Sequence, residues 1–527
     1  MWKQPIKISD SFLPWIILFN ITVVTVLAVV SSSSIAIANS SISGPLMIDQ
    51  TDSLWLSTSY LAAVGSFLPL SGWLGKNYGN KFTFFGGVSI FVLASLLAIF
   101  SKNFTFLLIM RIFEGMGGGL IYPISLTIIQ QAFPLEKKTL GLTIYLGLGF
   151  GLGASIGFII GGYIGQYKPW EWIFLINVIT GIPCLIFTWL FQPESETDKS
   201  EQPFDFLGLI FFGGFLASLL ILLTNVKASW NTLGWESTFS KGFITASILS
   251  LILLIARALS YADPIIKIYL FKQKYFAVGC GILFFVGIFF FGTVVILPPL
   301  FEKALGYQKS TIGFIMLSYA LIMAPASSFV GYITKFINIR ILILAGLICL
   351  IISCFIQKWI ITVQSEHWQW YIVLIIRALG VSLSLGPVTS LALEKVVSAD
   401  SPGASVLVAF SRQIGGAIGT TLILLIGVYR EAFYSQIYGS NINIHAPTFQ
   451  AYTEAYGERF ERILGFSTTE SATLAKLMVV KSVKIQAYIS AVNDAYFIMG
   501  CIGIVITVIV SSIMIPELLK IRKRSSI

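Results

Sequence analysis

Arg111 and Glu114 stand three residues apart in an otherwise apolar stretch, LLIMRIFEGMGGG (Leu107–Gly119). On a helix that spacing puts a guanidinium and a carboxylate on one side, close enough to pair. A charge near a bilayer midplane costs roughly 2.5–3.5 kcal/mol on insertion scales, so such residues face protein or a polar path. Burial also favours the neutral form of a carboxylate, which makes Glu114 the candidate proton carrier. A purely structural ion pair that sets helix packing is the alternative. Arg377 lies deep in another apolar run, too deep for snorkelling. Arg412, followed by Gln413, is placed nearer the end of its run, where snorkelling to the headgroups is the plainer account. Arg111, Glu114, Arg377 and Arg412 form the candidate set for proton coupling or gating.

Other chemistry is sparse. The hydroxyl run Ser31–Ser34, with Asn39, Gln413 and Asn493, supplies candidates for lining a polar cavity, Ser31 and Ser34 first among them. Such hydroxyls can also bond back to their own helix. The two histidines, His367 and His445, fall in predicted loops, and the five cysteines are scattered through apolar runs without metal-ligand spacing. No nucleophile–base–acid arrangement and no GxxxxGK[ST] phosphate loop occurs. No enzyme activity, metal or cofactor is expected. Movement of a solute by alternating access, driven by an ion gradient, fits these residues better than chemistry on the solute.

The elements that must position these residues are membrane helices. Of 527 residues, 56% are hydrophobic and 11% charged, against about 25% charged in a soluble domain. Apolar runs fall at 14–37, 53–73, 84–101, 104–126, 140–163, 171–191, 205–224, 240–258, 276–299, 310–331, 338–358, 368–392, 403–428 and 489–515. Fourteen runs near the length that crosses a bilayer predict an all-α integral membrane protein. Barrel strands would need short alternating segments instead. The formal charge of +10 follows topology rather than nucleic acid. Lysines cluster at 76 and 81, at 137 and 138, and at 267, 272 and 274, with a basic tail at Lys520, Arg522, Lys523 and Arg524. The positive-inside rule then puts both termini in the cytoplasm, although Lys303 and Lys309 fall outside.

This reading divides the chain into an N-terminal six-helix unit (1–191), a linker with two further spans (192–274) and a C-terminal six-helix unit (275–527) with a long outer loop at 429–488. That loop is expected to carry a surface helix around 469–486. In the fifth run Gly149, Gly153, Gly157 and Gly161 fall four apart on one face, a spacing that lets two helix backbones approach closely. A static dimerisation face and a face that slides or rocks during transport are both compatible with it. Pro123, Pro183, Pro325 and Pro387 mark candidate bends.

Several segments then carry a resemblance. GWLGKNYGNK (Gly72–Lys81), LLIMRIFEGMGGG, the span-five glycines Gly153, Gly157, Gly161 and Gly162, FSRQIGGAIGT (Phe410–Thr420) and AVNDAYF (Ala491–Phe497) resemble motifs of the major facilitator superfamily. The chain is similar to its fourteen-helix drug:proton antiporter family, the EmrB/QacA-like multidrug exporters, over residues 14–515. The resemblance implies a major facilitator fold with two six-helix bundles plus two extra central transmembrane helices. It implies proton transfer through Arg111, conformational roles for Gly72, Gly79 and the span-five glycines, and export of an amphipathic organic solute or drug across the cell inner membrane. Implied partners are the lipid bilayer, the solute, protons, and a periplasmic adaptor with an outer-membrane channel. Two departures stand out. Phe158 replaces the proline expected after Gly157, and the serine run replaces the acidic residue expected in span one. Either Glu114 takes over coupling, or coupling is absent or different. An importer or metabolite carrier of the same fold, and a non-transporting sensor or scaffold, are the alternatives.

Overall fold

Long apolar runs without strand-like alternation satisfy their backbone groups in lipid by helix formation, and those among the described residues do so. A computed structural model describes residues 12–48, 50–194, 204–226, 231–261, 263–397, 400–440, 442 and 445–525, with no strand among them. The helices are α1 (Leu13–Ser43), α2 (Gln50–Tyr78), α3 (Asn80–Ile99), α4 (Phe104–Ala132) and α5 (Leu135–Tyr167). There follow α6 (Trp172–Phe191), α7 (Phe206–Asn225), α8 (Thr238–Ser260), α9 (Lys274–Glu302) and α10 (Lys309–Ile333). The chain ends with α11 (Ile339–Ile360), α12 (His367–Leu393), α13 (Ser401–Ser440), α14 (Pro447–Leu464) and α15 (Thr468–Ser525).

Thirteen of these are long and apolar enough to cross a membrane. The expected span at 53–73 is the exception. Its helix, α2, has ample length but is diluted by Ser53, Ser57, Thr58, Ser59, Ser66, Pro69 and Ser71. Those residues suit a helix surrounded by protein, and α2 packs against α1, α3, α4, α7 and α13.

The expected outer loop at 429–488 is helical instead. α13 continues to Ser440, α14 packs on α15, and the surface helix expected near 469–486 is the first part of α15 itself. The stretch 468–499 contains neither Gly nor Pro, so no residue in it ends the helix. Most of the linker expected at 192–203 lies outside the described residues, as do the side chains of Asn39, Lys303, Lys520, Arg522, Lys523 and Arg524.

Turns are short and specified locally. Between α2 and α3 only Gly79 intervenes, at φ 91°, a left-handed conformation that favours glycine. The Asn103 side chain accepts from the Phe106 N–H at 2.8 Å to cap α4, and Asp205 accepts from the Gly208 N–H at 3.0 Å to cap α7. Helices run through Pro123, Pro183, Pro325 and Pro387 without interruption.

Helices α1–α6 pack on one another, as do α9–α13 with α15. They meet along a seam where α5 lies against α10 and α12, and α13 lies against α2 and α4. α7 covers one side of that seam, touching α2 and packing Phe212 against Phe410 of α13 with ring centroids 4.7 Å apart. α8 packs on α7 and turns most of its apolar surface outward. A groove of about 350 Å³ between α11 and α15, lined by Ile348, Ile352, Ile504 and Val508, is apolar and remote from the buried charges.

Candidate functional site

The Arg111–Glu114 pair is closed off from the surface. Both side chains are buried, and Arg111 Nη1 donates to Glu114 Oε2 at 2.6 Å. Three neighbouring helices deliver donors to Glu114 Oε1: Ser31 of α1 at 2.8 Å, Ser95 of α3 at 2.8 Å and Asn177 of α6 at 2.9 Å. Arg111 Nη1 also donates to Ser31 Oγ at 2.9 Å, and its Nε donates to the Leu56 carbonyl of α2 at 3.2 Å. The guanidinium lies 4.3 Å from the ring centroid of Tyr60. One ion pair thus ties together α1, α2, α3, α4 and α6.

The glycines after Glu114 explain how α4 comes so close. A Cβ on Gly115 would meet the Tyr60 carbonyl at 2.4 Å, and one on Gly119 would meet the Val64 carbonyl at 2.5 Å. Gly117 takes α3 in the same way, at 2.7 Å from the Gly87 carbonyl. The Tyr60 hydroxyl donates to the Ala28 carbonyl at 2.9 Å and neighbours the Tyr122 hydroxyl of α4. Tyr122 in turn packs on Phe150 at 5.2 Å.

Arg377 and Arg412 lack such neutralisation. Arg377 is fully buried and donates to Gln357 Oε1 at 2.7 Å, with Tyr496 stacked at 4.8 Å, and has no carboxylate partner among the described residues. Arg412 does not snorkel. It is only 4% exposed, eleven residues into α13 (about 16 Å at 1.5 Å per residue). Its guanidinium sits 4.0 Å from the Phe150 ring across the seam. Gln413 beside it is half-buried.

The expected cavity-lining residues mostly seal contacts. Ser31 belongs to the Glu114 network, Ser34 donates to the Gly157 carbonyl at 2.9 Å, and Asn493 donates to the Ile361 carbonyl at 2.7 Å. The glycine stripe of α5 divides between two partners. Gly149, Gly153, Gly157 and Gly161 face α1, where a Cβ on Gly161 would meet the Ser34 carbonyl at 2.4 Å. Gly147, Gly151 and Gly162 face α10 across the seam, Gly162 lying 2.5 Å from the Lys309 carbonyl by the same measure. A π-helical turn at Gly147–Leu152 carries Phe150 into the interior. Gly72 meets Val406 and Pro402 of α13, so it too lies on the seam.

Sequence reasoning missed Tyr60, Ser95 and Asn177, whose only signal was a polar residue inside an apolar run. It also missed Asp494, which pairs with Lys358 and Arg430 and accepts from the Tyr434 hydroxyl at 2.8 Å.

A strap crosses the end of the seam near the start of α13. Lys76 pairs with Asp263 at 3.5 Å, while Lys267 and Tyr269 donate to Asp400 at 2.7 and 2.6 Å. Nearby, Thr139 bonds Ser390 at 2.6 Å, and Ser401 donates to Gln130 at 2.6 Å. Burial pushes the Asp400 carboxyl up, but the hydrogen bonds from Lys267 and Tyr269 outweigh it and hold Asp400 below its usual range. A depressed carboxylate contributes above its unfolded value, about 3.9, and loses that contribution as pH falls through the folded value. A spin-label distance between α5 and α12 at this end is therefore expected to stay constant from pH 8 to about 5 and to lengthen in stronger acid. Asp400→Asn should give the longer distance at every pH.

Residues 21–420 match the family model described as Major Facilitator Superfamily. The chain belongs to the major facilitator superfamily. This superfamily member is 24% identical over 493 residues to "Multidrug export protein EmrB" of Haemophilus influenzae, covering 93% of this chain and 94% of that protein. It is 24% identical over 418 residues to "Fatty acid resistance protein FarB" of Neisseria gonorrhoeae, covering 77% and 79%. The solved structure of the human organic anion transporter MFSD10 aligns with TM-score 0.54 at 12% identity, over 94% of this chain and all of that one. At that identity the likeness shows the fold alone. As a superfamily member the protein is a multi-pass secondary transporter that moves a solute across a membrane, and not an enzyme.

Proposed function

We propose that this transporter exports an amphipathic organic solute across the inner membrane in exchange for protons, by alternating access. The observation that carries the proposal is a buried carboxylate, Glu114, linked through α4 and α2 to the seam. Protonation of Glu114 would cancel its charge and release Arg111, whose remaining contacts are Ser31, the Leu56 carbonyl and the Tyr60 ring. α2 would then shift on the α4 glycines, and Gly72 of α2 bears directly on α13. Glu114 would thus take over from the acidic residue absent from span one.

The fourteen-helix exporter branch fits best, with α2 as the fourteenth span, cytoplasmic termini and two six-helix bundles flanking α7 and α8. The relatives named for multidrug export and fatty acid resistance support the outward direction and an amphipathic solute. A periplasmic adaptor and outer-membrane channel are the matching partners. Proteoliposomes with an imposed pH gradient test the coupling, with a lipophilic dye as the solute. Dye movement against its gradient is expected for the wild type and absent for Glu114→Gln. Gradient-driven movement unchanged in Glu114→Gln would remove the assigned coupling role.

A further inference from the structure

The seam holds a cation that no carboxylate among the described residues neutralises. Arg412 is nine-tenths buried, its Nε lacks a hydrogen-bond partner, and the guanidinium rests on Phe150 of the opposite helix group. The ionisable groups that act on it are the hydroxyls of Tyr122 and Tyr145, with no carboxylate among them. Glu114 is already engaged by Arg111 and three further donors. Arg377, a fully buried arginine of the C-terminal group, is likewise without a carboxylate among the described residues. A buried charge without a counter-charge is retained at a cost, and the cost is recovered when a partner of opposite sign arrives.

We infer that Arg412 is the head-group site of the transported solute, and that the solute is an amphipathic monoanion: a carboxylate or sulfonate on an apolar body. This deepens the proposed function by naming its substrate class. An anionic head would replace the Phe150 ring on the guanidinium, exchanging a cation–π contact for charge-assisted hydrogen bonds. Tyr145, whose hydroxyl accepts from Thr25 at 3.0 Å and also bonds Ser125, would turn its hydrogen from Ser125 to the anion, and Tyr122 stands beside it. The apolar body finds Phe150 on one side of the seam and, one turn along α13, Phe291 packed on Gly416. Because Phe150 belongs to α5 and Arg412 to α13, the head group sits where the two helix groups separate. Solute binding and opening of the seam are then one event.

Three probes of matched apolar body separate the charge requirement from greasiness: dodecanoate, dodecanol and dodecyltrimethylammonium. Their equilibrium binding to the purified full-length protein in lipid nanodiscs is read by competition against a fluorescent fatty acid, without a pH gradient. The wild type is expected to bind dodecanoate at least tenfold more tightly than either other probe. Arg412→Gln should abolish that preference while leaving dodecanol binding unchanged, Arg412→Lys should restore part of it, and Arg412→Glu should favour the cation. Unfolding midpoints and elution volumes show whether each variant is folded. Equal affinity for all three probes in the wild type, preference for the cation, no binding of any probe, or full anion preference in a folded Arg412→Gln would overturn the inference. Anion preference with no proton movement in proteoliposomes would sink only the coupling reading, and coupled export of a cation would sink only this one.

Discussion

Arg111→Ala is expected to cost about 3–5 kcal/mol of stability, because it strands a carboxylate in a buried site. Glu114 would keep its donors from Ser31, Ser95 and Asn177 but lose the guanidinium at 2.6 Å. Glu114→Gln keeps the shape and strands the cation instead, so a loss of the same order follows. Paired apolar replacement separates stability from coupling. Arg111→Met combined with Glu114→Leu removes both charges and is expected to recover part of the stability, since no charge is stranded but Ser31, Ser95 and Asn177 lose their acceptor. It should recover none of the pH-driven transport. Denaturant midpoints in detergent give the first quantity and proteoliposome flux the second. Full transport by the apolar pair would reduce Arg111 and Glu114 to a structural tie.

The second large effect concerns two adjacent glycines with nearly equal room. A methyl on Gly161 would stand 2.4 Å from the Ser34 carbonyl, and one on Gly162 would stand 2.5 Å from the Lys309 carbonyl. Neither backbone atom can swing aside as a side-chain tip could. Ser34 belongs to α1, which never leaves α5 if the N-terminal helices move as a unit. Gly161→Ala is therefore expected to cost about 2 kcal/mol of folding stability, in the range for overpacking, with little change in the balance of conformers. Lys309 begins α10, across the seam. Gly162→Ala is relieved by separating the helix groups at that end, so it should keep the unfolding midpoint and shift the population toward the open state. Spin-label distances between α1 and α10 at this end would show the shift. Equal thermal loss in both variants with unchanged distances would mean that the seam does not open there.

This division of the α5 stripe marks the limit of what spacing conveys. Four-residue repeats identify a close-packed face, and that much was legible. Two small faces wind around one helix, however, and only the azimuths of α1 and α10 show which partner takes which. Arg412 illustrates the same limit. Its position along the sequence matched a snorkelling arginine, whereas the π-helical turn in α5 carries Phe150 under it. The segment expected between the last two spans at 429–488 is helical over most of its length for a local reason: from 468 onward its polar residues carry no Gly or Pro, and such residues continue a helix beyond the membrane as readily as they form a loop.

Length, apolar runs and scarce charge determined by themselves that this chain is helical and membrane-embedded, because lipid leaves an isolated backbone few other conformations. The Arg111–Glu114 pair was equally readable, since its three-residue spacing is local geometry. Tertiary structure alone decided which charges are neutralised. Ser31 and Asn177 reach Glu114 across separations of 83 and 63 residues, and no carboxylate among the described residues comes to Arg412. Such neighbours depend on how helices rotate and cross, and that is set by packing over whole helix faces rather than by any short run of sequence.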